Sequence, residues 1–204
     1  MPTAAERTKF EPFTGAKGSK MSDFSPEYLA YLDRWVQDDL HYVPDRLLSL
    51  LGMLELQWEG MEINQLQHSL QTAALAERSG AGEELVVAAL LHDIGKVVSN
   101  ANHPGVSAEI LRPWVGDDVH WVVKVHQDFQ GSHYFSLMGV DPMIRRRHEG
   151  HPAYGLAEQF VDEWDNAAFD PNMDTPPLAY FEPLVRSFFS RPPRRPEHWK
   201  PALP

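Results

Sequence analysis

The stretch "AALLHDIGK", residues 88–96, puts His92 and Asp93 at the end of an apolar run. Other residues of the same chemistry also stand on or beside apolar stripes that should face a core. His68 lies on a helical stripe, and His103 stands just before a helix start. His126 follows Val119, Val122, Val123 and Val125, and Asp165 follows Trp164. A single helical histidine is ordinarily a hydrogen-bonded core or surface residue, and with ten histidines in the chain only the set is informative. Burying several imidazoles and two carboxylates is costly unless they are paired or bound to metal. Neutral imidazole and carboxylate are good ligands for iron, manganese or zinc. Adjacent residues on a helix point about 100° apart. His92 and Asp93 can therefore touch two metals, or Asp93 can bridge them. A metal would neutralise Asp93 and satisfy His92.

Helices at regular spacing must position these residues. "SPEYLAYLDRWVQDDL" opens with Ser25 as N-cap and Pro26 at the first helical position. "PDRLLSLLGMLELQW", from Pro44, is a second helix. "EINQLQHSLQTAALAERSG", closed by Gly80, is a third and carries His68. "GEELVVAALLHDIGK" is a fourth, with Glu83 and Glu84 at its positive N-terminus. "HPGVSAEILRPWV" is a short helix that Pro113 interrupts, and "DDVHWVVKVHQDF", started by Asp117 or Asp118, carries His126. A loop-rich section runs from Gly131 to His151, with Asp141 capping before Pro142. "PAYGLAEQFVDEWDNAAF" is helical and carries Asp165, and "PPLAYFEPLVRSFF" is the last helix. No stretch alternates at period two for long enough to make a strand. The expected fold is an all-α, single-domain bundle of about seven or eight helices over residues 22–190. A flexible arm, 1–21, would precede it and a Pro- and Arg-rich tail, 191–204, would follow.

The chain has 204 residues, 43% of them apolar, which suits a domain with a full hydrophobic core. No apolar run approaches the roughly 18 residues of a membrane span, and the first residues lack the apolar region of a secretory signal. The absence of cysteine excludes disulfides and thiolate metal sites and fits a cytoplasmic location. Of the net charge of −11, residues 1–20 carry +2 and residues 191–204 carry +3, which leaves −16 between them. So acidic a body repels phosphate backbones, so nucleic acid is not an expected partner, whereas a bound cation is.

The order His…His-Asp…His…His…Asp resembles the HD-domain superfamily, which contains metal phosphohydrolases and a branch of di-iron oxygenases. The oxygenase branch includes inositol oxygenase and the phosphonate-cleaving oxygenases. "QLQHSLQTA" resembles its first-His helix and "ALLHDIGK", 24 residues on, its His-Asp helix. "NHPGVSAEIL", "VKVHQDFQG" and "DEWDNAAF" resemble the segments of the third His, fourth His and final Asp. The likeness covers roughly residues 45–190. It implies one iron held by His68, His92, Asp93 and Asp165, and a second held by the shared Asp93 with His103 and His126. His120 lies six residues before His126, nearly opposite on an ideal helix, and is left out of the ligand set.

In inositol oxygenase a lysine at the position of Lys96 contacts substrate, which implies a catalytic, substrate-binding cation here. Lys96 lies three and four residues after Asp93 and His92, on their face of the helix. Phosphonate oxygenases instead have a histidine there and a lysine four residues after the fourth His, where this chain has Gln130. Gln127, Gln130, Ser132, His133 and Tyr134 follow the fourth His and are candidates to line a pocket, Gln127, Gln130 and Tyr134 as substrate-binding residues. Arg145, Arg146 and Arg147 point in three directions, one of them available to an anion. Trp58, Glu59 and Glu62 are candidates to cover the site.

The resemblance implies a mixed-valent Fe(II)/Fe(III) oxygenase. It would use O2 to take hydrogen from, and oxidatively cleave, a small hydroxylated substrate that is anionic or phosphonate-like. "HSLQTA", "DEWDNAAFDP" and the absence of an attached sensor or nucleotide module favour that branch. The alternative is an HD phosphohydrolase in which two Mn, Mg or Zn ions acidify a bridging water for attack on a phosphate ester. A metal-stabilised binding protein is a third reading.

Overall fold

The computed structural model describes residues 11, 13–15 and 18–194. Most of the expected N-terminal arm, and residues 195–204 of the expected tail, lie outside the described residues. Among the described residues every regular element is helical. Helix α1 spans Pro26–Asp39, and Ser25 caps it by accepting a hydrogen bond from the Tyr28 amide at 3.1 Å. Helix α2, Val43–Met53, runs on into a 3-10 turn, Leu54–Leu56. The chain divides into two compact units, residues 1–49 and 50–204, so the division falls within α2.

The second unit holds all the candidate ligands. Helix α3 spans Gln65–Arg78 and starts with a reciprocal cap. Asn64 Oδ1 accepts from the Gln67 amide at 2.8 Å, and Gln67 Oε1 accepts from the Asn64 amide at 3.1 Å. The turn after α3 needs a left-handed residue, which Gly80 supplies with φ of +81°. Helix α4, Glu83–Leu91, is buried on all sides from Val86 to Leu91, as its unbroken apolar sequence requires. Helices α5, His103–Leu111, and α6, Asp117–Tyr134, pack against each other. Helix α7, Tyr154–Gln159, passes directly into a π-helical turn, Phe160–Asp165, and α8 spans Leu178–Phe189.

Three local expectations change. Helix α4 stops at Leu91 instead of running through to Lys96. Asp93 has φ −103° and ψ 2°, and a 3-10 turn, Ile94–Val97, follows. Helix α6 begins at Asp117, as expected, after Gly116 at the N-cap position, but continues through Gly131 to Tyr134 where a loop was expected. The section to His151 also contains 3-10 turns at Phe135–Met138 and Ile144–His148. Glycine weakens a helix without forbidding it, and here packing decides.

Candidate metal centre and its cavity

Six side chains converge from five segments: His68 from α3, His92 and Asp93 from the end of α4, His103 from the start of α5, His126 from α6, and Asp165 from the π turn. None is more than 3% exposed. His68 Nε2 and His92 Nε2 are 3.2 Å apart, each 3.5 Å from Asp93 Oδ2 and 3.1 and 3.5 Å, respectively, from Asp165 Oδ1. His103 Nε2 and His126 Nε2 are 3.3 Å apart and lie 3.0 and 3.5 Å from Asp93 Oδ1. Asp93 thus turns one oxygen to each of two clusters.

The other ring nitrogen of every histidine faces a backbone carbonyl. His68 Nδ1 donates to Ala168 O at 3.0 Å, His92 to Ala89 O at 2.8 Å, His103 to Asn100 O at 2.9 Å and His126 to Val123 O at 2.7 Å. A carbonyl only accepts, so each Nδ1 carries a proton, and each ring in its neutral form turns a bare Nε2 inward. Paired lone pairs 3.2–3.3 Å apart repel unless a cation or proton lies between them. Both oxygens of Asp93, and Asp165 Oδ1, are buried without a hydrogen-bond donor, a cost of about 1–3 kcal/mol each if nothing satisfies them. Lys96 Nζ pairs with Asp93 Oδ2 by charge at 3.0 Å, without the alignment of a hydrogen bond. This donor set fits two divalent or trivalent cations.

The electrostatics of the metal-free chain report the same demand for positive charge. Burial opposes a charge on His92, yet the carboxylates of Asp93 and Asp165 push it up to about 9. Burial would raise Asp93 and Asp165, but positive charge on His92 and the close approach of the other imidazoles hold both well below the usual carboxylate range. His126 is lowered, because burial outweighs the help it draws from Asp93.

Local structure aims these groups. A Cβ at Gly95 would lie 2.4 Å from the His103 carbonyl oxygen, so glycine is what lets the start of α5 come against the end of α4. The Gly95 amide donates to buried Ser107 Oγ at 2.9 Å, which ties the same two segments together. In the π turn the Asn166 amide bonds to Val161 O at 2.8 Å, five residues back. The wider turn keeps both Trp164 and Asp165 buried. Phe169 stacks on the His68 ring with centroids 4.1 Å apart.

A cavity of about 480 Å³ opens beside the first cluster, lined by Glu59, Met61, Lys96, Gln130, His133, Tyr134, Asn166 and Phe169. Three of these touch ligand residues. Lys96 pairs with Asp93, Phe169 covers His68, and Gln130 Nε2 donates to Asp165 Oδ2 at 2.7 Å. Lys96 Nζ also pairs with Glu59 Oε2 at 3.2 Å and donates to Gln65 Oε1 at 3.0 Å. Burial would lower its pKa, but the Asp93 and Glu59 carboxylates raise it, so the ammonium stays charged.

Residues 66–170 match the sequence model of the HD domain. The chain belongs to the HD-domain family. Among its relatives is the glycine-betaine-forming dioxygenase of 1-hydroxy-2-(trimethylamino)ethylphosphonate from Leisingera caerulea. It is 24% identical over 159 residues, covering 62% of this chain and 80% of that protein. The hydroxymethylphosphonate dioxygenase of Gimesia maris is 26% identical over 143 residues, covering 63% of this chain and 70% of its own.

Within this HD domain several singled-out residues stand away from the cavity. Gln127 is half-buried and does not line it, because one residue past His126 turns the side chain about 100° around α6. Ser132 bonds to Phe129 O within the helix, and His120 Nε2 meets Glu109 Oε1 at 3.1 Å, outside both clusters. Arg145 pairs with Asp162 and Glu158, and Arg147 with Asp128; no arginine of the run lines the cavity. Of the covering loop, Glu59 reaches the cavity while Trp58 and Glu62 do not. Sequence reasoning missed Gln65, Met61, Asn166 and Phe169, and the four carbonyls that orient the histidines. Only "DNAAF", which joins Asp165 to Phe169, carried a signal for any of them.

Proposed function

We propose that this HD-domain chain is a di-iron oxygenase that uses O2 to cleave a small hydroxylated phosphonate or related oxyanion. The observation that carries the reading is the division of Asp93, with Oδ2 among His68, His92 and Asp165 and Oδ1 between His103 and His126. In this reading His68, His92, Asp165 and Asp93 would hold one iron, and Asp93, His103 and His126 would hold the other. The phosphonate dioxygenases among its relatives support the substrate class. When bound, the iron pair supplies Lewis acidity and one-electron chemistry with O2.

The chain's own residues supply the rest. Lys96, held by Asp93, Glu59 and Gln65, offers a fixed ammonium to substrate oxygens. Gln130 keeps Asp165 Oδ1 turned to His68 by occupying Oδ2. Phe169, Met61 and Tyr134 give the cavity an apolar wall that limits water beside the reacting centre.

Anaerobic loading with iron followed by electron paramagnetic resonance tests this reading. A coupled Fe(II)/Fe(III) signal, and oxygen uptake on adding hydroxymethylphosphonate or 1-hydroxy-2-(trimethylamino)ethylphosphonate, are expected. A mononuclear site overturns it.

A further inference from the structure

Helix α6 and the π turn are joined by two side-chain rungs. The inner rung is Gln130 Nε2 to Asp165 Oδ2, at 2.7 Å. The outer rung is His133 Nε2 to Asp162 Oδ1, at 2.8 Å. The pairing order is reversed, 130 with 165 and 133 with 162, so the two segments run antiparallel. Three residues separate the rungs on each side, which places the outer rung about 5 Å, one helical turn, beyond the one that touches the ligand cluster. Gln130 and His133 both line the cavity.

Asp162 is itself held. Arg145 Nη1 lies 3.1 Å from its Oδ2 and 3.3 Å from its Oδ1. A carboxylate only accepts, so Nε2 of His133 carries a proton, and Nδ1 of the neutral ring presents a lone pair. A pair as exposed as this one, 32% and 37%, adds little to stability. It does hold an imidazole in one tautomer and one orientation on the cavity wall. The cavity wall therefore carries a cation at Lys96, beside Asp93, and an imidazole at His133, one helical turn beyond Gln130.

We propose that His133 is a second substrate-binding residue, whose Nδ1 accepts a hydrogen bond from a hydroxyl or ammonium at the substrate end remote from the metals. Asp162 and Arg145 are its positioning residues. The inference rests on the oxygenase reading above and sharpens its substrate class: an oxyanion head for the metal end, and an O–H or N–H donor about three bonds further along the chain.

The test uses the full chain loaded with iron and kept anaerobic. Hydroxymethylphosphonate, 1,2-dihydroxyethylphosphonate and 2-amino-1-hydroxyethylphosphonate are titrated while the change in the paramagnetic resonance signal is followed. His133→Ala should retain two irons per chain, weaken both tailed probes at least tenfold and change hydroxymethylphosphonate less than twofold. The tailed probe weakened more identifies the donor as hydroxyl or ammonium. Asp162→Asn should weaken the same probes and, in nitrogen-15 spectra, release the His133 ring from its Nε2–H tautomer, a change that a merely structural pair would not couple to probe binding. Equal effects of His133→Ala on all three probes, no effect on any, or loss of iron from that variant overturns the inference and leaves the oxygenase reading standing. Failure of every probe to bind the wild-type chain overturns both.

Discussion

At Asp93 the two carboxylate oxygens face different histidines, and neither has a hydrogen-bond donor of its own. Replacing it with alanine removes the shared member of both clusters. Asp93→Ala is therefore expected to hold fewer than two metals per chain, measured by elemental analysis after desalting. Two metals at full affinity would refute the bridge. Lys96 lies beside the same carboxylate, but a protonated ammonium cannot be a ligand. Lys96→Ala should keep both metals and raise KM, with a cost of about 1–3 kcal/mol, the scale of a hydrogen bond to a charged group. Steady-state oxygen uptake checks it, and unchanged kinetics would remove Lys96 from the binding of substrate. The variant also releases Glu59 from its partner, so Glu59→Gln serves as a companion that leaves the ammonium in place.

Among the elements, the junction between α4 and α5 leaves no room for a side chain at Gly95. The atom that a Gly95 side chain would strike, the His103 carbonyl oxygen at 2.4 Å, belongs to backbone and cannot swing aside. Gly95→Ala must move the start of α5, and with it His103. It should cost about 1–3 kcal/mol, as overpacking does, and should release the metal at His103 and His126 before the other. Thermal unfolding together with metal content reads both effects. The π turn has a comparable role at Asp165. One residue fewer in that turn would rotate the following side chains by about 100° and carry Asp165 away from His68.

For the whole molecule, the buried cluster ties stability to pH. Without metal, His92 is raised from 6.5 to about 9. Its contribution is complete below 6.5 and is lost as pH rises through about 9. Asp93 and Asp165 are lowered from 3.8, so their contribution is present above that value and is lost as pH falls through their depressed values. Burial lowers His126 from 6.5, so its contribution is lost as pH falls below that value, and denaturant titrations of the metal-free chain should show greatest stability near pH 6.5, with a decline toward 9. Metal affinity should run the other way, increasing up to about pH 9 as His92 gives up its proton. Calorimetry in buffers of different ionisation enthalpy should find that proton released. No helix among the described residues is long and apolar enough to cross a membrane.

Most of the helices were legible as periodicity and end signals, because those act over a few residues. Ser25 with Pro26 and Gly80 with its left-handed turn are instances. The six ligand candidates were legible as residue types on apolar stripes, since burying such groups demands a partner, and the spacing resembled that of HD domains. Where α4 ends, how the helix around Asp165 widens, and that Gln127 turns away while His133 pairs with Asp162 were not legible. Tertiary structure alone decided which oxygen of Asp93 meets which histidines, and which carbonyl fixes each ring. Ala168 O holds His68 from 100 residues away. That bond exists only once the loop after the π turn has packed against α3, because the short-range pattern that forms a helix carries no information about its distant neighbours.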